Sequence, residues 1–113
     1  RGVWAGGADQ PHIYTSVISF INMASKGNAQ AFGDLSRVVA GAAGAAANGT
    51  RAVIPLGQLL TPSPYTDVNI VEFITISTGG DAQDFGDLRG GDNEVHTRHI
   101  SPVSDSHGGL GGF

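Results

Sequence analysis

Apolar and polar residues alternate in two stretches of the chain, "SVISFINMA" at 16–24 and "NIVEFITIS" at 69–77. In the first, Ile18, Phe20 and Asn22 fall on one side and Val17, Ser19 and Ile21 on the other. In the second, Val71, Phe73 and Thr75 oppose Ile70, Glu72, Ile74 and Ile76. A period of two is the signature of a half-buried strand, so the pattern predicts strands over 17–24 and 70–77. Shorter apolar runs, "VWAG" at 3–6 and "AVIPL" at 52–56, end at glycine and predict further strands. "SKGN" and "TGGD" read as turns that use glycine for positive φ. "AQAFGDL" and "AQDFGDL" read as short strands after those turns. The run "RVVAGAAGAAAN" at 37–48 is ambiguous, because alanine favours helix. Gly41, Gly44 and the leading valines favour a strand, which is the expectation here.

These elements occur twice. Residues 17–35 and 70–88 align at an offset of 53. The identities are Phe20/Phe73, Ile21/Ile74, Gly27/Gly80, Ala29/Ala82, Gln30/Gln83 and the four residues Phe-Gly-Asp-Leu at 32–35 and 85–88. "RGVWAGG" at 1–7 aligns with "RAVIPLG" at 51–57 at an offset of 50. "HGGLGGF" at 107–113 is a weaker third copy. A recurrence of this length indicates a repeat architecture, in which one unit buries its faces only against a neighbour of the same shape. The whole chain reads as one repeat region: a first unit over about 1–50, a second over about 51–106, and the start of a third at 107–113. The fourth strand of each unit is expected in "RVVAG…" and, less distinctly, in "EVHTRHISPVSD" at 94–105.

The expected class is therefore all-β, with four short strands per unit, as in a propeller blade. The order of a double-glycine strand (Gly6, Gly7), an alternating strand, a short aromatic strand and "RVVAG" resembles the Kelch blade. Phe32 and Phe85 stand where a Kelch blade usually carries tryptophan, and both are expected to be buried between sheets and matched in geometry. "RGVWAGG", "ISFINMAS", "NAQAFGDLSR" and "NGTRAV" together resemble degenerate Kelch-like arrays in structural and tail proteins of marine, especially cyanobacterial, tailed phages. The second unit departs from the pattern at Leu56, which replaces the first glycine of the pair. The resemblance implies about two blade periods, as a fragment of a larger array or as a ring-forming oligomer.

Composition narrows the function. Glycine is abundant, 18 of 113 residues, and charged residues make up only 14%. The net charge is −4 with a single lysine, Lys26, so the positive footprint that nucleic-acid backbones require is missing. There is no cysteine, hence no disulfide framework and no thiolate metal site. No apolar run approaches the roughly 18 residues of a helical membrane span, and membrane insertion is not expected. The opening "RGVWAGG" has neither an initiator methionine nor a signal-peptide layout, which points to a piece of a longer chain.

Candidate chemistry is sparse. Asp34 and Asp87 recur in the same frame and read as turn aspartates rather than a catalytic pair. Asp81, Asp84 and Asp87 have the oxygen chemistry of a calcium site without the spacing of a calcium loop. His96, His99 and His107, with Glu94 and Asp105 nearby, are the candidate transition-metal ligands. The spacing of His96 and His99 puts them on opposite faces of a strand, which favours ordinary surface histidines. "NGT" at 48–50 matches a glycosylation acceptor, expected to be silent here. Trp4, Tyr14 and Tyr65 are the aromatic rings available to stack on a ligand. Tyr14 and Tyr65 are expected in long, diversified loops at 8–16 and 58–69.

Three functions compete at this stage. The first is a non-enzymatic virion structural or tail-associated protein at the particle surface, contacting copies of itself, other virion proteins and a host-surface glycan. The second is a carbohydrate-binding propeller module assembled from two-blade units. The third, an enzyme like the Kelch-type copper oxidases, lacks the cysteine that their cysteine–tyrosine pair requires. No cofactor is expected.

Overall fold

A computed structural model describes residues 1–9, 11, 13–41, 44–60, 66–89 and 101–104. The described residues are all-β, with three antiparallel sheets and no helix among them. The strands are β1 (Gly2–Asp9), β2 (Ile13–Ile21), β3 (Gln30–Asp34), β4 (Val39–Gly41), β5 (Ala46–Ala47), β6 (Arg51–Pro55), β7 (Gln58–Leu59), β8 (Thr66–Asp67), β9 (Ile70–Thr75) and β10 (Gln83–Asp87). The first sheet has the order β1-β2-β3, the second β10-β9-β6-β5, and the third β4-β7-β8.

The sequence repeat is also a repeat of register. Val3 faces Phe20 and Ala5 faces Ile18 in the first sheet, while Val53 faces Phe73 and Pro55 faces Val71 in the second. On the other flank, Val17 faces Asp34 and Phe20 faces Gln30, matched by Ile70 with Asp87 and Phe73 with Gln83. The turns after β2 and β9 match as well, closed by Ser25 N–H to Asn22 O and Thr78 N–H to Thr75 O. They close ahead of the glycines expected to make them. Positive φ then appears at Gly79 and Gly80 in the second unit only.

The paired motif Phe-Gly-Asp-Leu is a β-bulge. Ser19 pairs with Ala31 and Ile18 with Gly33, so Phe32 is the extra residue; Phe85 is extra between Asp84 and Gly86 in the same way. A bulge re-aims the side chain it carries. Phe32 turns its edge to Phe20 with ring centroids 5.9 Å apart, and Phe85 does so to Phe73 at 6.2 Å. Leu35 and Leu88 then donate their N–H groups to Ser16 O and Asn69 O. The aspartates lie in strands rather than turns, and Asp34 accepts a hydrogen bond from the Ser16 hydroxyl.

Three expectations are corrected. First, the first sheet holds three strands, and "RVVAGAAGAAAN" splits into two short strands: β4 joins the third sheet and β5 extends the second at β6. Second, the segments expected to be long loops carry paired strand. At Gly6 and Gly7, with φ of 67° and 127°, the first hairpin bulges and continues to Asp9 and Ile13. In the second unit Leu56 anchors in the core instead, and the chain leaves the sheet to form the β7–β8 hairpin against β4. Third, Phe32 and Phe85 are matched in geometry but not in burial: Phe32 is 6% exposed and Phe85 54%. Among the described residues, a second sheet lies over Phe32 and none over Phe85. Asn48 Oδ1 accepts hydrogen bonds from Thr50 N–H and Arg51 N–H at 2.8 and 2.7 Å, so "NGT" forms the turn between β5 and β6. The expected strand in 94–105 falls largely outside the described residues, and 101–104 carry no strand.

The core lies where one face of the first sheet meets the opposite face of the second. Ile18, Phe32 and Leu35 come from the first unit, and Ala52, Ile54 and Ile74 from the second. Val39, Leu56, Leu59 and Val68 extend it beneath the third sheet. Ser36 N–H donates to the buried Glu72 carboxylate across this junction at 3.2 Å. The outer edge of β3 is closed by the second unit. Gly80 N–H donates to Phe32 O at 2.7 Å and Ala82 N–H to Asp34 O at 2.9 Å, while Asp81 Oδ1 accepts from Asp34 N–H at 3.1 Å. Gly33 permits this approach: a Cβ there would overlap the Gly80 carbonyl and stand 2.8 Å from Asp81 N.

Candidate functional site

Each unit carries the same three-residue stack. Arg1 lies 4.5 Å above the centroid of Phe20, whose ring meets the edge of Phe32. Arg51 lies 4.3 Å above Phe73, whose ring meets the edge of Phe85. The strand-start position was legible as a shared polar one, because Arg1 and Arg51 align with His107. Its use as a cation over an aromatic face was missed. The signal was available in the recurrence of an arginine at the start of the first strand and a phenylalanine in the second in both units, Arg1 with Phe20 and Arg51 with Phe73, and such a contact adds about 0.5–1 kcal/mol at an exposed position. Arg1 Nη1 also donates to Ile76 O at 2.9 Å, linking the two units.

Beside this stack lies a groove of about 290 Å³ lined by Arg1, Phe20, Asn22, Lys26, Asn28 and Gln30. Its walls combine an aromatic ring with amide groups that both donate and accept hydrogen bonds, and Lys26 adds a point charge. That mixture suits a polyhydroxylated or acidic ligand. Comparison with protein-family models, with curated proteins and with solved structures gives no match. The site therefore has to be read from its own chemistry.

Of the three candidate aromatic residues, Trp4 and Tyr14 lie on the first sheet. Trp4 is 56% exposed on β1, with its ring over Gly2 beside Ile21. Strand alternation sets it on the face opposite Val3, and thus opposite the Arg1–Phe20 groove. Tyr14 is on β2 opposite Ala8, beyond the bulge, about 13 Å along the strand from Trp4 at 3.3 Å per residue. Tyr65, His96, His99 and His107 lie outside the described residues. Among the described residues no group of three histidines, aspartates or glutamates is placed to hold a metal ion, and the set Asp81, Asp84 and Asp87 is not gathered.

Proposed function

We propose that the chain is a non-catalytic structural component of a virion, of the tail-associated kind, built from Kelch-like blades and presenting a host-contact surface. The observation that carries this reading is the stacking of two sheets with identical register, face on opposite face. Consecutive blades of a propeller meet in the same manner. The matched bulges at Phe32 and Phe85 add to it, since they fall where the blade pattern places its aromatic residue. The host-contact surface is assigned to the ends of the hairpins, where the two units differ most while their ladders agree. An antibody raised against the chain is expected to label purified particles released by cells that carry its gene. Label retained in the cells and absent from particles would overturn the proposal.

A second reading, a carbohydrate-binding module, is favoured by the groove around Phe20. Its amides and Lys26 present the donors and acceptors that a sugar requires, next to an aromatic ring. On a glycan array, K26A is expected to lose most of the binding and W4A to retain it, because Trp4 faces the other way. Binding unchanged by K26A would refute the groove as the site.

A further inference from the structure

We propose that the outer edge of β10 and the exposed ring of Phe85 beside it dock the first unit of another copy of this chain, repeating between molecules the junction present within one. The inference rests on the duplicated geometry and not on a virion role.

The internal junction has two parts, and counterparts of both are exposed among the described residues. The first is the edge closure at β3 by Gly80, Asp81 and Ala82. At the same distance along the first unit stand Gly27, Asn28 and Ala29, all exposed. β10 is the edge strand of the second sheet, and none of the described residues pairs with its outer side. Transposed to a second copy, Gly27 N–H donates to Phe85 O and Ala29 N–H to Asp87 O. Asn28 Oδ1 accepts from Asp87 N–H, as Asp81 does from Asp34. Arg51 reaches the Met23 carbonyl as Arg1 reaches that of Ile76. Every residue type required is present. The contact between Ser36 and Glu72 alone is not reproduced, because Ser19 holds the place of Glu72.

The second part is the apolar packing between sheets. The second unit meets the first through Ile54, Ile70 and Ile76, which are buried or half-buried against the core. Their counterparts are Trp4, Val17 and Met23, all exposed, Met23 at 71%. The surface they would cover carries Phe85, the exposed counterpart of buried Phe32. Of the six exposed large apolar side chains among the described residues, four are thus accounted for by one contact. Exposed apolar area gathered at two complementary places marks an interaction surface. An open strand edge adds a row of backbone groups ready to pair. The contact joins unlike surfaces, so it forms a ring if its rotation closes and an open stack if it does not.

The test uses the full chain and two single variants. A29P removes the donor at one surface and leaves β10 intact; F85E spoils the other and leaves 27–29 intact. The parent is expected to rise in mass with concentration by sedimentation, through at least a doubling. Each variant alone is expected to stay at the mass of one chain, and an equimolar mixture to form a dimer and nothing larger. Circular dichroism checks that each variant is folded. As a second measure, N28C/D87C, in a chain without other cysteines, is expected to oxidise into a ladder of linked chains. A parent monomeric at every concentration overturns the proposal, with residues beyond 89 of the same chain as the alternative cover for Phe85. Association untouched by either variant, or an N28C/D87C bond formed only within one chain, overturns it equally.

Discussion

Replacing Gly33 with alanine asks whether the two units are held by a backbone approach that only glycine permits. The new Cβ would overlap the Gly80 carbonyl. The colliding atom is backbone, and no rotamer relieves it. The segment at 80–82 has to move outward, and three hydrogen bonds go with it: Gly80 to Phe32, Ala82 to Asp34, and Asp34 to Asp81. At about 1 kcal/mol net for each bond, the loss is about 3 kcal/mol. For a chain of 113 residues the unfolding entropy converts this to about 4 °C per kcal/mol, a fall in Tm of about 12 °C. Gly49→Ala is the control, since a Cβ there meets nothing within 4 Å, and it is expected to stay within about 0.5 kcal/mol. Calorimetry on dilute protein reads both. A G33A variant melting within about 2 °C of the parent would refute the close approach as the element joining the units.

Three further outcomes are expected. Phe32→Ala should cost about 3–5 kcal/mol by urea unfolding, as for a buried ring. Phe85→Ala should cost only about 1 kcal/mol in dilute solution, the scale of its edge contact with Phe73, and equal losses at the two positions would contradict the asymmetry of burial. Glu72→Ala leaves Ser36 N–H without its acceptor inside the junction and should destabilise by about 1–3 kcal/mol in the same assay.

Much of the fold could be read from the sequence because the information was local and stated twice. The alternation around Phe20 and Phe73 specifies strand, and duplication of the pattern specifies equivalent surroundings. The contrasting fates of Phe32 and Phe85 were not legible, because burial depends on a neighbouring sheet that, among the described residues, covers Phe32 and not Phe85. The hairpin beyond Gly7 is expected as loop because the glycine pair reads as the end of the strand. In the structure, a bulge at the glycine pair realigns the two strands, and pairing resumes from Gly7 with Thr15 to Asp9 with Ile13. The alanine-rich run was resolved correctly against helix, yet its division between two sheets depends on partners distant in sequence, β7 and β6. At the candidate site, the arginine–phenylalanine stack was visible as a recurrence of both residue types, and the cation–aromatic contact between them was not legible.

The offset between the units changes from 50 to 53 within the hairpin ends, while every paired position on either side keeps its partner. In hereditary terms this makes the period a natural unit of exchange. Unequal crossing-over between the two coding copies would produce chains one unit shorter or longer. Each new seam would then join segments that the molecule already places side by side. A slip of a single residue would turn each buried side chain to the opposite face, whereas a slip of one full period turns none. Variation in the number of units is therefore open to such a lineage at far less risk than variation in strand length.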